Sequence, residues 1–314
     1  TPDNAHFLVP YFFKLYNVFL TASLIHRLTH LSSLSFENIS INKYLSLFDK
    51  KLLFILIWHL MFSLFVGDRG PVISYGLLAF SMYFLRFNRI GFIKIIILIV
   101  MSGIVFESIG IIRMGRKGDL NYTQRINSLL NEKEQKKSRG FDISVPGSSF
   151  IELAQSVRTL NHVIYNVPQK YAYGYGTFQL SHIFSIIPGL SGLMIEIIHD
   201  GDQKFDSSSS FITFLVQGNN PLYGEGTSIV ADFYLDYGLT GVIFGLFLFG
   251  AFLGKNEYKY YYGYQKISLT WIALLMYFSM SIYLGRSSII FPFGKIIMVY
   301  LVLSFNTKKN KKII

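Results

Sequence analysis

The sequence has no cysteine among its 314 residues, and this absence excludes several kinds of chemistry. Without a thiolate the chain can hold no disulfide, no cysteine nucleophile and no thiolate zinc site. Phosphate-binding loops, zinc-binding helix motifs, serine nucleophile elbows and dinucleotide fingerprints are missing as well. Charged residues make up only 15% of the chain, which is low for a soluble domain. Thiol-dependent catalysis is therefore excluded, and nucleotide-driven transport is disfavoured.

Hydrophobic residues dominate the rest of the sequence, at 51% of the chain, and 17% of the residues are aromatic. An α-helix needs about 20 apolar residues to cross the hydrocarbon of a bilayer, and a spanning segment must satisfy its own backbone hydrogen bonds. The composition therefore predicts an all-α polytopic membrane protein. The net charge of +11 fits basic cytoplasmic loops. Because no nucleic-acid-binding motif accompanies that charge, we expect no nucleic-acid partner.

Seven apolar runs are candidates for transmembrane helices. They are residues 7–25, 52–66, 71–85, 92–112, 229–253, 269–284 and 287–305. Lysines and arginines concentrate in every second connection and in the tail, so the positive-inside rule places those segments in the cytoplasm. The turn at 67–70, the segment 113–226 and the turn at 285–286 then face outward. Because Thr1 leads into an apolar run without a signal-peptide pattern, we expect further helices before it.

This layout divides the chain into four parts. Residues 1–112 hold four predicted spans, residues 113–226 form one large extracytoplasmic loop, residues 227–305 hold three spans, and residues 306–314 form a basic cytoplasmic tail. The large loop is the one region with polar composition, so we expect the functional residues to lie in it and in the outward turns.

Two stretches of the loop predict local structure. SFIELAQSVRTLNHVIYNV has helical periodicity, which predicts an amphipathic helix against the membrane or the bundle. Its apolar face comprises Phe150, Leu153, Val157, Leu160 and Ile164. Arg158 and His162 are four residues apart on the polar face. FQLSHIFSIIPGLSGLMIEII is interrupted by proline and glycine, which predicts a re-entrant or interfacial segment, with a spanning segment as the alternative.

Three arginines gather on the predicted outer face. Arg69 lies in the turn GDRGP, where glycines permit a tight bend and Pro71 starts the next helix. Arg286 lies in the matching turn between the last two spans, and Arg158 lies in the loop. A guanidinium offers a fixed fork of donors for phosphate and stays charged, so we expect a bound anion such as a lipid diphosphate. The alternative is a local ion pair or a contact with lipid headgroups.

Acids near the outer ends of the spans form a second candidate group. Glu107, Asp232 and Asp236 lie on or beside apolar runs, where an ionisable side chain is costly and is more often functional or paired than idle. Such a carboxylate could act as a general base or pair with an arginine. His162 and His182 in the loop are alternative bases.

Tyrosines form a third candidate group, in the stretch QKYAYGYGTF. Tyr171, Tyr173 and Tyr175 are two residues apart with glycines interleaved. A strip of this kind could stack on the apolar faces of sugar rings while the hydroxyls reach sugar hydroxyls. The alternative is an interfacial aromatic belt.

Two of these regions resemble a known family. GDRGPVI after a short span, and PLYGEGTSIVADFYLDYGLTGVIFG after the large loop, resemble the Wzy-type O-antigen and capsular repeat-unit polymerases. In that family an arginine-rich outward loop precedes an acid-bearing segment of small residues with a Gly-x-x-Gly pattern. The seven-span remainder, the large late loop and the basic tail are similar to the family's layout.

The resemblance implies a GT-C-like, inverting glycosyltransferase in the bacterial inner membrane, with its active site facing the periplasm. Donor and acceptor would both be undecaprenyl-diphosphate-linked oligosaccharides, and the growing chain would move onto the non-reducing end of one repeat unit. The family requires no cofactor, neither a metal nor a nucleotide sugar, because arginines neutralise the departing diphosphate. Membrane lipids, a chain-length regulator and a flippase are the further partners implied.

The resemblance also assigns roles to residues. The diphosphate contacts fall to Arg69, Arg158 and Arg286. Asp232 is the candidate base or structural acid. The related O-antigen ligases have a histidine before the corresponding Leu-x-x-Gly-x-x-Gly run, and this chain has none there, so Glu225, Asp232 and His162 all remain candidate bases. The alternative functions are an O-antigen ligase and a flippase or other transporter of lipid-linked glycan.

Overall fold

The structure is a computed structural model, and it describes residues 4–32, 39–66, 68–83, 148–184, 190–221, 224–261 and 268–311. These residues form helices and turns and contain no strand, which confirms the all-α prediction. The predicted span 92–112 and the first part of the loop, 113–147, lie outside the described residues.

Within the described ranges there are twelve α-helices. They are α1 (Asn4–Ser32), α2 (Ile41–Ser46), α3 (Lys50–Val66), α4 (Arg69–Met82), α5 (Ser148–Asn166), α6 (Thr177–Phe184), α7 (Leu190–His199), α8 (Ser208–Gln217), α9 (Ile229–Tyr261), α10 (Leu269–Ser279), α11 (Ser281–Leu284) and α12 (Phe293–Lys311). A short 3-10 helix, Gln203–Phe205, connects α7 to α8.

Helices from both ends of the chain form one bundle. α10 packs against α4, α9 and α12, and α1 packs against α3, α4 and α12. Fully buried core residues include Leu24, Leu28, Leu78, Ile272 and Ile296. The outer surface is apolar as well, since Phe54, Trp58 and Phe65 on α3 are largely exposed. Helices that are apolar on all sides are expected where the outer face meets lipid.

One helix in the described part of the chain, Ile229–Tyr258, is long and apolar enough to cross a membrane. Three shorter apolar helices accompany it: Gly70–Ser81, Leu269–Ser279 and Phe293–Phe305. The seven-span layout and the four-part division therefore stay predictions.

Two predicted spans differ from the helices observed. The run 269–284 is interrupted at Met280 (φ −101°, ψ 3°), which separates α10 from α11. The run 287–305 becomes helical only at Phe293, because Pro292 disfavours helical geometry at the residue before it. The turn that carries Arg286 is therefore longer than predicted.

The loop helices α5 to α8 form a second packed unit on the first part of α9. α5 contacts α8 and α9, while α6 contacts α9 and α12. The core of this unit contains Val163, Phe178, Phe211, Ile212 and Leu235. The contact of α6 with α12 connects the loop unit to the start of the last bundle helix.

The predicted amphipathic helix is observed as α5, and Leu160 of its apolar face packs on the core of the loop unit. Val157 and Ile164 of the same face are 60% and 43% exposed. The most buried described residues of the helix are Thr159, Val163 and Asn166. α5 turns toward α8 and α9 the side on which Arg158 pairs with a buried acid, so Val157 and Ile164 stay on the protein surface.

The long helix α9 is broken at Gly238, whose φ of 63° and ψ of −155° lie outside the helical region. Before the break, Asp232, Leu235 and Asp236 are buried against the loop helices. After the break, Leu239, Phe244 and Phe247 are largely exposed. The part after Gly238 has 20 residues to Tyr258, which rise about 30 Å, and this is the length needed to cross the hydrocarbon of a bilayer.

Candidate active site

Arg158 and Glu225 form an ion pair that joins α5 to the segment preceding α9. The Glu225 side chain is fully buried, and the Arg158 side chain is 27% exposed. The same carboxylate oxygen accepts a hydrogen bond from Gln217 Nε2 at 2.9 Å, and Glu225 N donates to Thr213 Oγ1 at 3.0 Å. Glu225 is therefore held on several sides, while Arg158 keeps part of its side chain accessible.

Asp232 and Asp236 lie one turn apart on α9, and Gln179 of α6 contacts both. Gln179 Nε2 donates to Asp232 Oδ2 at 3.0 Å, and Gln179 N donates to Asp236 Oδ2 at 3.1 Å. Asp232 Oδ1 also accepts from Thr227 Oγ1 at 3.3 Å, and Asp236 Oδ1 accepts from Phe178 N at 3.3 Å. Both acids are at most 1% exposed. Asp236 thus caps the N-terminus of α6, whereas Asp232 belongs to a buried polar network.

His182 of α6 approaches this network from the side of α12. The negative charge of Asp232 acts on His182, and the imidazole ring meets Phe291 edge to face with ring centroids 6.2 Å apart. Burial lowers the pKa of His182 below its ordinary value, and the charges of Asp232 and Asp206 oppose that shift. The net result is a histidine that is neutral at pH 7, the state that can accept a proton.

Arg286 reaches the same region from the turn before α12. Its Nε lies 3.8 Å from the position that a Cβ on Gly226 would occupy. Because Gly226 follows Glu225 directly, Arg158 and Arg286 adjoin the same short segment. α5, α6, α9 and the turn before α12 therefore converge on one region. This region contains two guanidinium groups, a buried carboxylate network and a neutral histidine.

Arg69 and His162 were also predicted site residues, and the structure does not link them to this network. Arg69 is the first residue of α4, and its side chain lies outside the described part of the structure. The neighbouring Asp68 caps α4 by accepting from Gly70 N at 3.0 Å. Among the described residues, no hydrogen bond or ion pair joins the His162 side chain to Asp232 or Glu225.

The tyrosine strip lies against the break in α9. Gly174 N donates to Leu235 O at 2.9 Å, and Tyr175 N donates to Asp236 O at 3.0 Å. These carbonyls belong to the last turn before Gly238, where the break removes the usual helical partners. A Cβ on Gly238 would lie 2.8 Å from Tyr173 Oη, so the Tyr173 ring occupies the space beside the break. The strip therefore satisfies the backbone that the break exposes.

The three tyrosine rings have different surroundings. Tyr171 packs edge to face on Phe211 with centroids 5.4 Å apart, inside the core of the loop unit. Tyr173 packs on Tyr234 in the same way, with centroids 6.2 Å apart. Tyr175 has φ 50° and is 74% exposed. The sugar-stacking role of the strip stays a prediction, and Tyr175 has the ring most accessible to a ligand.

The break at Gly238 leads to a first prediction, on stability. Gly238→Ala would place a side chain in a backbone region that is essentially restricted to glycine, which costs about 1–3 kcal/mol, and would also push Tyr173 aside. We expect the variant to unfold several degrees below the wild type when purified in detergent. Gly250→Ala is the matched control, because Gly250 lies in the same helix with no atom near a new Cβ. Equal melting temperatures for Gly238→Ala and the wild type would contradict the role given to the break.

The described residues contain no group of three histidine or acidic side chains placed to hold a metal ion. Residues 44–310 match a family model described as O-antigen polysaccharide polymerase Wzy. The chain belongs to the Wzy O-antigen polysaccharide polymerase family. No curated protein and no solved structure matches it.

Membership in the Wzy family confirms the resemblance seen in the sequence and sets the broad function. This Wzy family member is a membrane protein and a glycosyltransferase-type polymerase that acts on lipid-linked oligosaccharides. The match covers the loop unit and the bundle helices from α3 onward, so the network around Glu225 and Asp232 lies within the matched residues. Sequence reasoning missed Gln179, which has no motif of its own and acquires its role only by contacting both α9 acids.

Proposed function

We propose that this Wzy polymerase transfers a growing glycan from undecaprenyl diphosphate onto a repeat unit that is still linked to its own undecaprenyl diphosphate. The reaction is a single inverting displacement at the periplasmic face, and it uses no metal and no nucleotide sugar. The observation that carries this proposal is the meeting of Arg158 and Arg286 at the segment around Gly226, next to a buried acid network.

The arginines act on the leaving group. As the sugar–phosphate bond breaks, negative charge grows on the undecaprenyl diphosphate. A fixed pair of guanidinium groups stabilises that charge more strongly in the transition state than in the ground state, and such differential stabilisation accelerates the reaction. Arg158 is anchored by buried Glu225 and is only partly exposed, so its position is set before substrate arrives.

His182 is the better-placed general base, with Asp232 acting through it. One Asp232 oxygen accepts a hydrogen bond from Gln179 and the other accepts one from Thr227. Because Asp232 is only 1% exposed, its charge acts on His182 and not directly on the substrate. His182 is less buried and neutral at pH 7, so it can accept the proton of the attacking sugar hydroxyl. Glu225 is committed to its contacts with Arg158 and Gln217, which favours a structural role for that acid.

Surface glycan from the bacterium that carries this gene tests the proposal. We would delete the gene, restore it on a plasmid, and separate lipopolysaccharide or capsule on a gel. A ladder that collapses to core plus one repeat unit, and returns with the plasmid, supports the polymerase. Loss of every glycan-bearing band with lipid-linked polymer accumulating outside indicates a ligase. Single repeat units accumulating on the cytoplasmic side indicate a flippase. Either of the last two results overturns the proposal.

Arg69 provides a further prediction within this proposal. Arg69→Ala should abolish polymer while membrane insertion is retained, because a residue at the start of α4 contributes little to spanning. Arg69→Lys should restore little polymer, since a lysine cannot reproduce bidentate contact with phosphate. The ladder and the membrane-fraction level of each variant are measured together. An unchanged ladder in Arg69→Ala would remove this residue from the diphosphate site.

A further inference from the structure

A lysine lies inside the helix bundle, away from the network described above. Lys295 is in the first turn of α12, one helical turn beyond Phe291, which contacts His182. Its Nζ donates to Tyr75 Oη at 3.4 Å and lies 5.1 Å from the centre of the Tyr75 ring. Among the described residues, Lys295 forms no ion pair with a carboxylate. A cation at this depth is costly and marks a functional site by default.

Other polar side chains surround the Lys295 ammonium. Tyr75 Oη lies 3.0 Å from Thr21 Oγ1 and donates to Asn17 Oδ1 at 3.1 Å. The His59 ring stands edge to face on Tyr75 with centroids 5.3 Å apart, and His59 is 2% exposed. His59 Nε2 is buried and has no hydrogen-bond partner in the described part of the chain. Four helices, α1, α3, α4 and α12, thus direct polar groups toward one position.

The chemistry of this cluster fits an anion. It offers an ammonium group, an imidazole nitrogen and hydroxyl groups, and the described carboxylate whose charge acts on it is Asp68, through His59. A buried cation is stable when a counter-ion pairs with it. α4 and α12 both begin at the end of the bundle where the turns carrying Arg69 and Arg286 lie, so the cluster is about one or two helical turns below that end.

We propose that Lys295, with His59 and Tyr75, forms a second phosphate-binding site that holds the diphosphate of one lipid-linked substrate while the arginines hold the other. This proposal rests on the proposed function, because only a reaction between two lipid-linked glycans requires two such sites in one chain. A polyprenyl chain attached to that diphosphate would extend along the apolar outer surface of the bundle. The site takes phosphate esters of lipids, and a phospholipid headgroup offers similar chemistry.

Native mass spectrometry of the protein from phosphatidylcholine nanodiscs tests the proposal by counting bound lipids. With undecaprenyl diphosphate as the probe, the wild type should retain two molecules and Lys295→Met should retain one, with at least a tenfold weaker affinity for the second. Lys255→Met is the matched control, since Lys255 is exposed on α9, and it should bind like the wild type. Undecaprenol, which lacks phosphate, should bind equally to every variant.

Three results would overturn this second site. The first is that Lys295→Met binds two molecules of undecaprenyl diphosphate. The second is that Lys295→Met loses bound phosphatidylcholine while it retains undecaprenyl diphosphate, which would make the site a headgroup site. The third is that the double variant Lys295→Met, Glu107→Gln binds like the wild type, which would make the lysine a partner of Glu107. The gel ladder of the plasmid-restored strain is obtained separately. If that ladder is normal and any of these three results is found, the second site is wrong and the polymerase proposal stands.

Discussion

Arg158→Ala is expected to abolish polymer and to lower the stability of the purified protein. The substitution removes the cation that pairs with buried Glu225, and breaking a buried ion pair from one side costs about 3–5 kcal/mol. That cost is a large part of the total stability of a typical domain. It also removes one of the two guanidinium groups proposed to stabilise the departing diphosphate. The gel ladder and the melting temperature in detergent report the two effects.

A double variant separates the structural role of Arg158 from its proposed role in the reaction. Arg158→Met combined with Glu225→Gln removes both charges together, so the melting temperature should return toward the wild-type value. Polymer should stay absent, because no guanidinium remains at that position. If the double variant regains the full ladder, Arg158 serves only to neutralise Glu225, and the diphosphate role assigned to it is wrong.

His182→Gln should slow the reaction by about a hundredfold or more, which is the usual contribution of a general base. Since burial lowers the pKa of His182 below its ordinary value of 6.5, the base is unprotonated at neutral pH. The wild-type rate should therefore be constant around neutral pH and should fall only as the pH drops through the lowered pKa. The measurement is the initial rate of oligomer formation against pH, with purified protein.

Asp232→Asn distinguishes a base assisted by charge from a purely structural acid. The Asp232 charge raises the pKa of His182, so its removal should lower that pKa further and move the acidic limb of the rate profile to lower pH. Asn can still accept the hydrogen bond from Gln179 through its oxygen, and its amide can donate to the Thr227 hydroxyl, which should preserve the fold. An acidic limb that stays in place, or moves to higher pH, would contradict the coupling between Asp232 and His182.

The sequence predicted most of the helices correctly, because apolar runs and local helical spacing are determined by neighbouring residues. α3, α4, α5 and α9 all lie close to their predicted positions. The contact between Arg158 and Glu225 could not be predicted in this way. The two residues are 67 positions apart in sequence, so the pattern of apolar residues gave no indication of it.

The break in α9 has the same kind of cause. Gly238 lies in a run of small and apolar residues that predicts a continuous helix. What accompanies the break is the docking of Gly174 and Tyr175 onto the carbonyls of Leu235 and Asp236, a contact between distant parts of the chain. Lys295 is a different case, because a lone lysine in the run FPFGKIIMVYLVL is visible in the sequence. Its partner Tyr75, by contrast, could be identified only from the fold.

We propose that this chain joins lipid-linked repeat units without help from a metal or a nucleotide sugar. The most direct measurement uses the purified protein in liposomes, supplied only with repeat units on undecaprenyl diphosphate, in the presence of a metal chelator. We expect a series of lipid-linked oligomers that grow in steps of one repeat unit, and release of one undecaprenyl diphosphate for each linkage formed. Repeat units that stay single, or oligomers that form only when a divalent metal is added, would contradict it.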